Sequence, residues 1–323
     1  MRIGIVGCGL IGHKRAAAAV GHDVLLVTDL DPARAEALAA KSGAKAVAGW
    51  QALVAAELDV VVIATTHDNL APIAKVALQA GKHVLVEKPA GMSVAEVTQL
   101  AAAARKARKV CKVGFNHRFH PAIKKAKELV DQGAVGPLMF LRGRYGHGGR
   151  LGMEKEWRAD PSQSGGGELI DQGSHLIDLS RWFLGDLSLV FAATPTLFWD
   201  MKVDDNCFLA LKNEAGKIAW LHASWSEWKN MFSLEIYGRD GKLMIEGLGG
   251  SYGAEKLTFY KMLPQMGSPE TSVWDFPGPD ASWEAEFADF VRAVEQGGRP
   301  SGDIEDALGL HKIIAAAYQE GVS

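Results

Sequence analysis

Residues 2–29 read Arg2-Ile3-Gly4-Ile5-Val6-Gly7-Cys8-Gly9-Leu10-Ile11-Gly12-His13-Lys14-Arg15-Ala16-Ala17-Ala18-Ala19-Val20-Gly21-His22-Asp23-Val24-Leu25-Leu26-Val27-Thr28-Asp29. The spacing predicts a strand (2–7), a helix (11–20) and a second strand (23–29). Gly7-Cys8-Gly9-Leu10-Ile11-Gly12 sits between the first strand and the helix, the context that a G-x-G-x-x-G dinucleotide site requires. The first glycine makes the tight turn, the second lets backbone approach a pyrophosphate, and the third lets helix and strand pack closely. The helix start then offers unpaired N–H groups and partial positive charge to the phosphates. Gly7, Gly9, Leu10, Ile11 and Gly12 are therefore expected to contact a cofactor. Asp29 ends the second strand, where a carboxylate can accept from both adenine-ribose hydroxyls and repels a 2′-phosphate. Leu30 follows it with no adjacent base, and Arg34 comes one helical turn on. NAD is expected ahead of NADP.

Outward from this unit the same rhythm continues. Apolar runs at 60–65, 83–87 and 110–115 alternate with helical stretches at 32–41, 70–80 and 94–109. Such β-α-β-α alternation predicts a doubly wound parallel sheet, helices on both faces, over residues 1–118. Beyond a helix at 121–132 the pattern changes. Asn213-Glu214-Ala215-Gly216 and Arg239-Asp240-Gly241 read as hairpin turns between strand-like runs at 206–212, 217–225, 232–238 and 242–246. A further strand is expected at 257–262, and 264–279 reads as irregular. Helices at 283–296 and 304–319 finish the chain. Residues 119–323 are thus expected to form an α+β domain with a large, open, mostly antiparallel sheet, the last helix packing back on the first domain.

Bulk properties fit this two-domain α/β plan. A chain of 323 residues exceeds what one core usually serves. The net charge of −3 gives no polyanion-binding surface, so neither nucleic acid nor membrane is an expected partner. The three cysteines, Cys8, Cys111 and Cys207, are odd in number and widely spaced, which points to a reducing compartment. With no signal-like segment before the first strand and no apolar run near the roughly 20 residues of a membrane span, the expected location is cytoplasmic.

Two further segments carry chemistry. Glu87-Lys88-Pro89 directly follows a buried strand, at the carboxyl end where ligands of parallel sheets bind. Gly165-Gly166-Gly167-Glu168-Leu169-Ile170-Asp171-Gln172-Gly173-Ser174-His175-Leu176-Ile177-Asp178 places glycines before a helix on which Asp171 and His175 are i, i+4 neighbours, with Asp178 one turn beyond. An imidazole near neutral pKa suits removal of an alcohol proton, and a carboxylate can orient it. Either segment alone is equally compatible with a surface lysine and an ordinary helical Asp–His pair.

Taken together, these motifs resemble the Gfo/Idh/MocA family, the glucose–fructose oxidoreductase and inositol dehydrogenase group. The resemblance covers essentially the whole chain. It rests on the glycine motif, Ala80-Gly81-Lys82-His83-Val84-Leu85-Val86-Glu87-Lys88-Pro89, Gly114-Phe115-Asn116-His117-Arg118-Phe119, and the Gly-Gly…Asp171…His175…Asp178 helix. It implies an oxidoreductase passing a hydride between NAD and a secondary alcohol of a sugar, cyclitol or sugar derivative. Lys88, Asp171 and His175 would form the catalytic set. His175 would be the general base, Lys88 would bind the reacting hydroxyl, and Asp171 would position the substrate or the other two. Thr65, Thr66, His67, Glu87, Lys88 and Asn116 would touch the cofactor. In Ala64-Thr65-Thr66-His67-Asp68-Asn69-Leu70, Thr66 stands where proline is usual and Leu70 where histidine is common, so the loop on the nicotinamide side departs from the family pattern.

Arg118, Trp157 and Arg158 are expected at the substrate with Lys88, Asp171 and His175. His117, His120 and Cys111 lack the convergence of a metal site, and none is expected. Eight of nine tryptophans follow residue 150, and most read as core or subunit interface. An open sheet with a large apolar face needs a cover, which predicts a homodimer or homotetramer through the C-terminal sheet. Two other classes share these motifs: a redox-assisted glycosidase or epimerase that recycles bound NAD, and a non-catalytic dinucleotide-binding sensor. The intact Lys88–Asp171–His175 set argues against the sensor.

Overall fold

The computed structural model describes residues 1–320, which divide into two units. The first unit comprises residues 1–116 and 283–311. Its parallel sheet contains β1 (Arg2–Val6), β2 (Asp23–Thr28), β3 (Lys45–Ala46), β4 (Val60–Ile63), β5 (His83–Val86) and β6 (Cys111–Val113), in the order β3-β2-β1-β4-β5-β6. Strand order reverses between β1 and β4, and doubly wound sheets bind ligands outside the strand ends at such a switch point.

Helices cover both faces of this sheet. Ile3, Ile5, Val60, Val62 and Leu85 cluster with Ala35, Leu38, Phe287 and Phe290, so helices Pro32–Ser42 and Ser282–Gln296 lie on one side. On the other side Gly4 lies beneath Leu53 and Leu58; a Cβ at Gly4 would meet them at 2.6 and 2.5 Å. The short β3 and the helix Trp50–Ala55 that carries Leu53 went unread in the sequence, because two-residue strands and six-residue helices show no periodicity.

The second unit comprises residues 117–282 and, among the described residues, 312–320. Its sheet contains β7 (Leu138–Gly146), β8 (Ser188–Ala193), β9 (Asn206–Lys212), β10 (Ile218–Ser224), β11 (Met231–Gly238), β12 (Gly241–Glu246), β13 (Glu255–Lys261) and β14 (Glu270–Phe276), in the order β14-β13-β12-β11-β7-β10-β9-β8. Among the described residues, β7 with β10 is the one parallel pair in this sheet. The segment read as irregular, 264–279, is corrected: seven of its residues, Glu270–Phe276, pair with β13. As an edge strand it is largely exposed, with only Trp274 and Phe276 half-buried near its end, so it lacks the sustained apolar alternation that reveals a half-buried strand.

The inner face of the eight-stranded sheet carries Leu141, Leu221, Leu234, Ile236, Leu243, Ile245 and Leu257, all at most 1% exposed. Helix Ser174–Leu184 packs against β7 and β10 on that face, and helix Pro121–Asp131 packs against β12, β13 and β14. Opposite pleat positions point outward: Phe140 pairs with Tyr237 and Ile218, and Trp220 with Ala210.

Candidate active site

In the first unit the glycine turn is built by three different constraints. Gly7 has φ +95°, and a Cβ there would lie 2.4 Å from the Ala64 carbonyl oxygen. A Cβ at Gly12 would lie 2.0 Å from the Gly7 oxygen. At Gly9 nothing stands within 4 Å. Helix Leu10–Ala18 begins there with neither a side-chain cap nor an acidic residue in its first turn. Two glycines therefore close the turn while the third leaves an open approach to uncapped N–H groups, which fits a diphosphate. Leu10 is exposed and Ile11 half-buried beside it.

Asp29 completes this end of the sheet. Its carboxylate accepts from the N–H of Cys8 at 2.6 Å and of Asp31 at 2.9 Å, which fixes it against the turn. Burial, with Asp29 alongside, pushes the Cys8 thiol up to about 12, so it stays protonated. Past β4, Thr66 is the N-cap of helix His67–Gln79. Its hydroxyl donates to Asp68 at 2.5 Å and accepts from the Asn69 amide at 3.3 Å. A side-chain hydrogen-bond system thus occupies the position where proline is usual, with Thr65 half-buried and His67 buried beside it.

Lys88 follows β5 in a tight turn. The Lys88–Pro89 peptide is cis, and Ala90 has φ +75°. Glu87, 8% exposed, is bound by Arg15 at 2.5 Å, and burial raises its carboxyl above the ordinary range. Arg15 is fully buried and also pairs with Glu286 at 2.5 Å, its guanidinium 4.6 Å from the Trp283 ring centroid. Lys112 extends the network to Glu286 at 3.7 Å and Asp289 at 3.5 Å. Asn116, expected at the cofactor, is buried in the turn Asn116–Phe119.

In the second unit the glycine-led helix does not start as a plain α-helix. Leu169–Gly173 is a π-helical turn, followed by the α-helix Ser174–Leu184. Asp171 therefore lies in a segment whose backbone bonds run i to i+5, while His175 lies in the α-helix that follows. Asp204 anchors the turn: it accepts from Gly167 N at 2.9 Å, Leu169 N at 2.8 Å and the Tyr318 hydroxyl at 2.8 Å. A Cβ at Gly167 would lie 1.9 Å from the Asp204 oxygen, which explains a glycine there.

Asp171 accepts from Arg158 Nε at 3.1 Å, and that guanidinium lies 4.5 Å from the Trp157 ring centroid. Three of the six residues expected at substrate, Asp171, Arg158 and Trp157, thus form one group. The His175 ring stacks on His117 with centroids 3.7 Å apart and planes 16° apart. Tyr145 stands edge-on to both imidazoles, 5.2 Å from His117 and 6.2 Å from His175. Burial drives the Tyr145 hydroxyl well above its usual pKa, aided by Tyr252 and Asp171, so it stays neutral. Burial lowers His147 against the opposing pull of Asp171. Arg118, expected at substrate, is 4% exposed and forked onto Asp178 at 2.8 and 2.5 Å, which turns Asp178 to Arg118.

Two family models match the chain. Residues 1–115 fit the NAD-binding Rossmann fold of an oxidoreductase family, and residues 123–244 fit the GFO/IDH/MocA C-terminal domain. The chain belongs to the Gfo/Idh/MocA family of oxidoreductases. Its first unit is accordingly an NAD-binding domain. Among relatives of this Gfo/Idh/MocA chain, levoglucosan dehydrogenase of Pseudarthrobacter phenanthrenivorans is 23% identical, over 99% of this chain and 97% of its own. Inositol 2-dehydrogenase of Rhizobium meliloti is 26% identical over 99% and 96%. D-xylose 1-dehydrogenase (NADP(+)) 2 of Haloferax volcanii is 29% identical over 99% and 97%. A solved levoglucosan dehydrogenase in complex with NADH shares the fold, with a TM-score of 0.88 at 23% identity over 99% of this chain and 98% of that one.

Several contributors escaped the sequence reading of this Gfo/Idh/MocA chain. His117 belongs to the Gly114–Phe119 motif, but nothing in that motif places its ring against His175. Arg15 carried a weak signal, a charge one turn past Gly12 and next to Lys14 in an alanine-rich helix. Glu286 and His311 carried none, because nothing local links them to β5.

Proposed function

We propose that this protein is an NAD-dependent dehydrogenase acting on a secondary alcohol of a sugar, a cyclitol or a derivative of either. One observation supports this beyond family membership. A buried histidine and a carboxylate, His175 and Asp171, share the head of one helix in a chain whose other unit binds NAD. NAD, when bound, supplies the hydride acceptor. His175 takes the proton of the reacting hydroxyl, a task suited to an imidazole whose ordinary pKa is near neutrality. The stack on His117 holds that ring in one plane. Lys88, half-buried at the carboxyl end of β5, donates to the same alcohol oxygen and offsets its developing negative charge. Asp171, steadied by Arg158, accepts from a neighbouring hydroxyl and so orients the ring. Arg158 and Trp157 line the substrate, while Arg118 acts through Asp178 as a support.

The dinucleotide is NAD rather than NADP because Asp29 puts a carboxylate where a 2′-phosphate would have to sit. Gly9 and the first helical N–H groups hold the diphosphate, with Gly7, Leu10, Ile11 and Gly12 shaping the turn. Thr65, Thr66, His67, Glu87 and Asn116 shape the nicotinamide side.

The outward face of the eight-stranded sheet is the subunit interface of a homo-oligomer. Trp220 is 52% exposed there and Phe191 44%, and the Phe140–Tyr237 and Phe208–His222 rings stack alongside. Exposed aromatic side chains grouped on one face of a sheet mark association sites. The location is a reducing compartment, the cytoplasm; no helix among the described residues is long and apolar enough to cross a membrane.

The test is NADH formation over a panel of sugars, inositols, sugar acids and sugar nucleotides, with NADP in parallel. Turnover on a sugar or cyclitol with NAD supports the assignment. Reaction without net NADH release points instead to a redox-recycling hydrolase or epimerase.

A further inference from the structure

The turn that carries Lys88 is held from both sides by residues remote in sequence. On one side Glu87 is fixed by the fully buried Arg15 at 2.5 Å. Arg15 is fixed in turn by Glu286 at 2.5 Å. Gly114 makes room for this pair, since a Cβ there would lie 2.6 Å from Arg15 Nη2 and 2.7 Å from Glu87 Oε2. On the other side His311, 1% exposed, donates from Nε2 to the Pro89 carbonyl oxygen at 2.8 Å. Between the two clamps Ala90 adopts φ +75°, a conformation that a residue with a Cβ rarely takes. Its N–H closes the turn onto the Glu87 oxygen at 2.9 Å. Strained backbone of this kind persists only where its surroundings over-determine it. Arg15 and His311 supply that determination.

We propose that His311 and Arg15 are positioning residues for Lys88: they clamp the Glu87–Ala90 turn and hold its strained backbone in the geometry that aims the Lys88 side chain. The inference rests on the assignment of Lys88 to the reacting alcohol. His311 suits the task because burial lowers its pKa and so favours the neutral ring that donates from Nε2. Arg15 suits it because two carboxylates compensate its buried charge, while its fork fixes Glu87 in direction as well as distance.

The experiment uses the full chain with His311→Leu, which removes the donor, and His311→Gln, which keeps an N–H at similar reach. Arg15 is a poor first target, because its loss strands two buried carboxylates and unfolding would mask the effect. The first readout is hydrogen–deuterium exchange of the peptide covering residues 87–91 in the cofactor-free protein. His311→Leu is expected to speed exchange there at least tenfold, with β1 and β4 unchanged, and His311→Gln to restore protection. The second readout is kcat at saturating NAD, with whichever of D-glucose, D-xylose, myo-inositol or levoglucosan turns over fastest. A displacement of about 1 Å in a reacting group costs up to about a hundredfold. A fall of ten- to a hundredfold is therefore expected for His311→Leu, with the NAD dissociation constant within twofold. His311→Gln should recover to within about threefold. Unchanged exchange at residues 87–91 in His311→Leu would overturn the proposal, as would loss of kcat and NAD binding in parallel. Lys88→Ala run alongside separates the two ideas. If it keeps wild-type kcat, the role of Lys88 fails; if it is inactive while His311→Leu is fully active, only the clamp fails.

Discussion

The glycine turn permits a paired perturbation in which stability and cofactor binding separate. Gly12→Ala places a methyl group 2.0 Å from the Gly7 oxygen. A relaxed carbon–oxygen contact is about 3.3 Å or more, so helix and turn must part by over about 1 Å. Overpacking of this kind costs about 1–3 kcal/mol, at the upper end here because the obstacle is backbone. Set against about 1 kcal/mol of helix propensity gained by alanine over glycine, the net loss is roughly 2 kcal/mol. For a chain of this size that lowers the melting temperature by about 3 °C. Gly9→Ala differs. Gly9 has φ −74° and ψ −167°, open to alanine, and its new methyl meets no protein atom within 4 Å. Alanine as an N-cap in place of glycine costs about 0.5 kcal/mol, or about 1 °C. The same methyl fills the approach to the uncapped N–H groups, so NAD affinity should fall about thirtyfold or more, equivalent to about 2 kcal/mol. Thermal melts and fluorescence titration with NAD give both quantities. Gly9→Ala that binds NAD within twofold of the parent would refute the placement of the diphosphate at this turn.

Lys88→Ala and His175→Ala should each lower kcat by at least about a hundredfold with NAD binding within twofold, by the usual weight of a positioned proton acceptor or donor; steady-state kinetics would show which residue, if either, is dispensable. Asp29→Ala should narrow the preference for NAD over NADP about tenfold, measured as the ratio of dissociation constants, and an unchanged ratio counts against Asp29 as the selector. Burial lowers His83, His147, His222 and His311. Their unfolded forms therefore bind more protons below about pH 6.5, so stability present above that pH is lost as the pH falls through the lower folded values. The urea midpoint should be lower at about pH 5.5 than at about pH 7.5, and equal midpoints contradict this reading. Trp220→Glu should shift sedimentation toward the monomer at micromolar concentration; parent and variant of the same mass would remove the outer sheet face as the interface.

The sequence spoke most clearly where local chemistry and fold coincide. The first glycine turn was legible because Gly7 and Gly12 answer steric demands made by the next strand and within a few residues, while Gly9 keeps the approach to the helix start open. The β4 run Val60–Ile63 was legible because a strand buried on both faces is continuously apolar. Strand Glu270–Phe276 was not, because an exposed edge carries no alternation and its turn-rich flanks hid it. Lys88, Asp171 and His175 were marked by their motifs, but the partners that hold them were not. The His117 ring on His175, the Arg158 contact to Asp171 and the Arg15–Glu286 pair each join residues whose proximity only the folded chain creates. The π turn at Leu169–Gly173 lay beyond reach too, since period alone does not separate it from an α-helical start.

The buried pairing of residue 15 with residue 286 limits how this protein can be taken apart. The stretch that reads as a nucleotide-binding module ends near residue 116, yet its core includes Phe287 and Phe290, and its buried cations Arg15 and Lys112 find Glu286 and Asp289 only on a helix encoded near the other end of the chain. A fragment cut at that apparent boundary would leave Lys112 without its carboxylates, Arg15 with Glu87 alone, and part of a sheet face uncovered. Grafting the module onto another scaffold, or exchanging it between relatives, therefore requires both ends of the chain to travel together. The segment 283–311 is as much a part of the nucleotide-binding unit as the glycine turn that announces it.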